Sequence, residues 1–147
     1  MQDDSWLYNP NLYGTGCSLQ ADGIGFEPQV FLQQTAFDSN SILFHGKLGF
    51  PEEFKNKAAG VEPEVLQLFE STFLLLRVSA SESRAIQLKE AVLFFEQYRD
   101  EILRLSGFSQ VENVVLRFIS VEGESFENLP EEFMNLAFSV GVNNLIM

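Results

Sequence analysis

"TFLLLRVS" (72–79), "SESRAIQLKEAVLFFEQYRDEILRLSG" (81–107) and "NVVLRFISV" (113–121) follow one another with only short breaks. The first and third are short, β-branched and apolar, with the composition of strands. The middle one carries Leu88, Val92, Phe95 and Ile102 at helical spacing, and Ala91, Tyr98 and Leu105 widen the stripe. Opposite charges stand at i,i+3 (Glu96, Arg99) and i,i+4 (Asp100, Arg104), where helical side chains meet. Gly107 suits a helix stop. The segment predicts a helix over 83–105, roughly 30 Å long at about 1.5 Å per residue. Strand, long helix, strand is a βαβ crossover, which sets its two strands parallel.

Outward from this unit the chain is read the same way. "LPEEFMNLAFSVG" (129–141) predicts a helix that starts near Pro130 and stops at Gly141, and "VNNLIM" (142–147) a last short strand. Upstream, "CSLQA" (17–21) is a strand ended by the turn signal Asp22-Gly23. "FEPQVFLQQ" (26–34) is a short helix from Pro28, and "SILFH" (41–45) a strand. "VEPEVLQLFES" (61–71) is a helix from Pro63, and 46–60 reads either way. Residues 1–16 are polar, aromatic and irregular. The expected fold is α+β. One mixed sheet of about five strands carries its helices mainly on one face, with one βαβ crossover (strand 72–79, helix 83–105, strand 113–121). All 147 residues form a single domain by the usual size prior.

"PEEFKNKA" (51–58) and "PEEFMNLA" (130–137) share six of eight positions. Beside Glu27-Pro28 and Glu62-Pro63, they read as four solutions to one problem. Proline sets φ at a helix start, where its missing N–H is no loss. Glutamates in the first turn complement the helix dipole. Adjacent carboxylates on a helix face different ways, so the pairs are not acid–base dyads.

Composition excludes several function classes. Twenty-one acids against nine bases give a net charge of −12, too few cations to neutralise phosphates, so neither nucleic acid nor an anionic membrane is an expected partner. A basic protein is the natural complement. Cys17 and His45 are the single cysteine and histidine, which rules out an intrachain disulfide and a thiolate zinc site made by this chain alone. A nucleophilic triad would have to use His45, and no motif frames it. No catalytic residue, cofactor or metal is expected, and the chain is read as a non-enzyme. "MQDDSW" lacks a signal-peptide plan, and no apolar run approaches a membrane span, so a cytoplasmic location is expected.

Two candidate sites remain. From residue 108 onward six acids face one base, and Glu112, Glu122, Glu124, Glu127, Glu131 and Glu132 are the candidates for meeting a basic partner. The locally basic stretch is elsewhere, at Lys47, Lys55 and Lys57. Arg77 and Arg117 each lie mid-strand, out of phase with Leu74, Leu76, Val78 and with Val114, Leu116, Phe118. If their strands are neighbours, the two arginines share the open face of the sheet as an anion-binding spot.

"SLQADGIGFEPQVFLQQTAF" (18–37) and "ENLPEEFMNLAFSVGVNNLIM" (127–147) resemble an uncharacterised family of small bacterial α/β domains. In that family a strand leads to a Phe-Asp/Glu-Pro helix start, and the chain ends in a Pro-Glu helix, a glycine and a strand. The family has a tryptophan after a Lys-Gly-like turn where this chain reads "GKLGF" (46–50), and no functional residue carries over. Related small acidic domains serve as immunity proteins beside bacterial toxins. The resemblance therefore implies a protein-binding module of that kind, neutralising a basic toxin domain. The alternatives are a self-associating structural or regulatory module, with "VNNLIM" as its sheet edge, and a small ligand binder using Arg77 and Arg117.

Overall fold

The computed structural model describes residues 16–47, 71–119 and 129–146. In chain order these hold β1 (Gly16–Ile24), α1 (Pro28–Leu32), β2 (Ile42–Lys47), β3 (Ser71–Ser79), α2 (Arg84–Ser106), β4 (Asn113–Ile119), α3 (Glu131–Ser139) and β5 (Asn144–Ile146). The strands make one sheet in the order β2-β3-β1-β4-β5. The pairs β2/β3, β3/β1 and β1/β4 are antiparallel, and β4/β5 is parallel. The α+β class and the mixed five-stranded sheet are as expected. The helices predicted from Pro51 and Pro63, and Glu122, Glu124 and Glu127, lie outside the described residues.

β3 and β4 run parallel, as the crossover requires, but they are not neighbours. β1 lies between them and pairs with both. β3 likewise lies between β1 and β2. The first four strands thus form two interleaved split βαβ units, the ferredoxin-like plan, and α3 with β5 extends it on the β4 side.

The crossover geometry explains the core. Cys17, Leu19 and Ala21 on β1 share a face with Leu74, Leu76 and Val78 on β3, and with Val114, Leu116 and Phe118 on β4. Against this face α2 lays Ala91, Phe94, Phe95, Ile102 and Leu105, and α3 lays Phe133 and Ala137. Phe133 meets Phe95 at 5.9 Å and Phe118 at 5.8 Å between ring centroids, so one ring ties both helices to the sheet. A second aromatic group, Phe31, Phe37, Phe94 and Tyr98, fixes α1 and the segment after it. α2 departs from helical geometry at Tyr98 (φ −115°, ψ 24°), where that ring packs between Phe37 and Phe94.

The opposite face is not open, contrary to expectation. Phe73, Leu75 and Val115 are buried there, with Ser18, Gln20 and Asp22. Strands buried on both faces read as continuous apolar runs, which is why "FLLL" does not alternate.

β1 also runs past the expected turn at Asp22-Gly23. The Asp22 carboxylate accepts from Gln20 Nε2 (3.0 Å) and Asn113 Nδ2 (2.9 Å), and its carbonyl accepts the Glu112 N–H (2.8 Å). Gly23 is there for space: a Cβ would lie 1.7 Å from the Gln110 carbonyl oxygen. The chain turns two residues later, at Gly25 (φ 81°).

Pro28 opens α1 at its first helical position, as expected, whereas Pro130 is the cap of α3, one residue earlier than expected. Glu131 and Glu132 occupy the first turn of α3, where the dipole favours them. Gly16, expected in the irregular N-terminal segment, is the first residue of β1.

Candidate functional site

A groove runs between α2 and α3. Leu88, Lys89 and Val92 line it from α2, and Pro130, Glu132, Phe133 and Leu136 from α3; its volume is about 360 Å³. Phe133 is the buried floor, held by the core rings, while Leu88, Val92 and Leu136 are half-buried walls. The rim is charged. Glu131 and Glu132 are exposed at the start of α3, and Lys89 is exposed on α2. Beyond Lys89, α2 presents two exposed apolar side chains seven residues apart and so on one helical face, Ile86 (48% exposed) and Leu93 (57%). Glu96 and Asp100 continue that outer face in exposed positions. The arrangement is an apolar trough beside an apolar ridge, with Glu132 and Lys89 in the lining of the trough and Glu131 next to it. It can seat an apolar side chain of a partner and pair with cations next to it.

The predicted acidic residues do not form one patch. Glu131 and Glu132 stand at the groove. Glu112 is exposed in the turn before β4. α3 returns the chain from the end of β4 to the start of the parallel strand β5, which places Glu112 at the other end of the domain. The separation is roughly the length of β4, about 20 Å at ~3.3 Å per residue.

Arg77 and Arg117 are brought into one row. Both are register partners of Ser18, on β3 and β4 respectively, so they share a face with one strand between them. Arg77 is exposed and Arg117 half-buried.

The remaining single-residue candidates fall apart. His45 is exposed on β2, and Lys47 is exposed at the end of the same strand. Cys17 is buried at 2% exposure; burial pushes its thiol pKa well above the usual range, and nearby Arg84 only partly offsets this. A thiol held protonated is a poor nucleophile and ligand. Among the described residues no group of three or more His, Cys, Asp or Glu side chains is placed to hold a metal ion. No described helix is long and apolar enough to cross a membrane.

Sequence reasoning missed two buried polar residues of α2. Arg84 (2% exposed) lies over the Phe118 ring at 5.1 Å. Gln87 donates from Nε2 to the Ser81 carbonyl (2.8 Å) and the Ile119 carbonyl (2.9 Å), clasping the exit of β3 to the end of β4. The expected Asp100–Arg104 pair is also replaced. Arg104 stacks over Phe31 at 4.3 Å and bonds Glu101 (3.0 Å) and the Gln34 carbonyl (2.6 Å), because the packed α1 side draws it inward.

Compared with family models, curated protein sequences and solved structures, the chain matches none.

Proposed function

We propose that the protein is a non-catalytic binding module that engages a basic protein partner through the α2/α3 groove. The observation that carries this reading is the groove itself: an apolar trough with a buried aromatic floor, Glu132 in its lining and Glu131 beside it, on a chain of net charge −12. Apolar anchors in a pocket supply most of the energy of protein interfaces. Complementary charge around them supplies speed and selectivity. An immunity-type inhibitor of a basic toxin domain is the biological role this chemistry fits best.

The test is matched capture with the native protein and two surface variants, Glu132→Lys and Leu93→Asp. Both positions are exposed, so folding is preserved and is checked by circular dichroism. The native protein should retain a basic protein with a saturable isotherm, and each variant should weaken that isotherm at least tenfold. A retained partner of acidic charge, or one held equally by both variants, would overturn the reading.

A further inference from the structure

We infer that residues 33–38 form a strap latched onto α2 by Glu101 and Arg104, and that acid opens this strap while the sheet stays folded. The strap lies apart from the groove, and the inference does not rest on it.

The strap is the irregular chain between α1 and the short 3₁₀ turn Ser39–Ser41 that leads into β2. Phe37 is its one buried side chain; Thr35 is half-buried and the others are exposed. The strap therefore contributes little apolar area and depends on few attachments. Its hydrogen bonds to α2 end on two side chains. Thr35 Oγ1 and the Ala36 N–H both donate to Glu101 Oε2, at 2.8 and 3.3 Å. Arg104 donates to the same oxygen (3.0 Å) and to the Gln34 carbonyl (2.6 Å). The remaining hold is the Phe37 ring, against Phe94 at 5.9 Å and Tyr98 at 4.8 Å between centroids. Tyr98 is where α2 departs from helical geometry. Beside it, a cavity of about 370 Å³ lined by Ala36 and residues 96–101 gives water a way to the latch.

Three donors thus converge on one carboxylate oxygen. Hydrogen bonds to an ionised acceptor are roughly twice as strong as neutral ones. A single protonation weakens all three at once and removes the ion pair with Arg104. The carboxylate is 21% exposed, so protons reach it without unfolding. The charged groups around it are Arg104 and, round the cavity, Glu96, Arg99 and Asp100. α1 carries no charged residue, and Asp38 at the far end of the strap accepts from the Asn40 N–H. The bonds hold the Glu101 carboxyl below its ordinary 4.5. The latch is therefore closed above the folded value and opens as pH falls through it. The central strands are held differently, by fully buried Leu19, Leu76 and Leu116, which carry no charge. Opening uncovers the Phe37 and Phe94 rings, an aromatic surface that the closed strap hides.

The experiment follows amide protection in the full chain by hydrogen exchange from pH 7 to pH 3. Ala36 and Phe37 should lose protection at least tenfold, with one midpoint below 4.5, while Leu19 and Leu116 keep theirs. Glu101→Ala should lower protection at Ala36 and Phe37 at least tenfold already at pH 7, and should abolish the acid step. Thr35→Val removes one donor and keeps the shape, so it should move the midpoint toward 4.5. Loss of protection at Leu19 and Leu116 together with the strap, an acid step that survives Glu101→Ala, or an unmoved midpoint in Thr35→Val would each overturn the inference.

Discussion

Glu101 shows how one side chain can tie distant parts of the chain together. It accepts from Thr35 Oγ1 (2.8 Å), the Ala36 N–H (3.3 Å) and Arg104 (3.0 Å), joining α2 to the segment after α1. Burial alone would raise its pKa, but those bonds and the Arg104 charge outweigh burial and hold it below the ordinary 4.5. A depressed carboxyl stabilises the fold above its unfolded value, and that contribution fades as pH falls through the folded value. The stability gap between the native protein and Glu101→Gln should therefore be constant at neutral pH and shrink as pH drops below about 4.5. Urea denaturation across pH 3–7 measures it; a gap that widens toward acid would contradict the assignment. Gly23 makes a second case. Gly23→Ala should cost about 1–3 kcal/mol by forcing the Gln110 backbone away, and denaturant midpoints would show it. This residue was misread in sequence because its neighbour in space is far away in the chain. Asp-Gly is a turn signal in isolation; here the Asp is satisfied by Asn113, 91 residues on.

At the level of elements, the strands and long helix were legible because their apolar spacing is a local property. Leu74, Leu76 and Val78 alternate, and α2 carries Ala91, Phe95 and Ile102 on one stripe. What was not legible is set by the partner of each face. Leu88 and Val92 read as core, yet they are only half-buried and line a groove that α3 leaves beside Phe133 and Leu136. Arg84 and Gln87 stand outside the apolar stripe, yet both are buried, because the Phe118 ring and the Ile119 carbonyl meet them on β4. Phe95 carries the sharpest element-level prediction. It is 1% exposed and packs on Phe133. Phe95→Ala should destabilise by about 3–5 kcal/mol, lowering the denaturant midpoint with little change in slope. It should also lower affinity for a groove partner, since the groove floor loses its support; full affinity at full folding would separate the floor from the core.

Over the whole molecule, charge and topology act together. The surface potential should steer a basic partner, so its association rate should fall steeply between low and physiological salt. Reversing Glu131 and Glu132 to Lys should slow association and flatten that salt dependence, as measured by stopped flow. An unchanged slope would place the encounter surface elsewhere, with Glu122, Glu124 and Glu127 the next set to reverse. Net charge was plain in the sequence. Its division between the groove end and the Glu112 end was not, because the return path of α3 decides which acids share an end.

The central place of β1 has a consequence for how the chain is born. β1 leaves the ribosome before either strand that flanks it. Leu19 needs Leu76 on one side and Leu116 on the other. Until both arrive, a strand of buried residues stands with two bare edges, in the state most exposed to wrong pairing. The interleaved order makes nearly every sheet contact non-local, and such folds form slowly. Refolding of the chain should therefore be slow for its size, which stopped-flow dilution from denaturant would show.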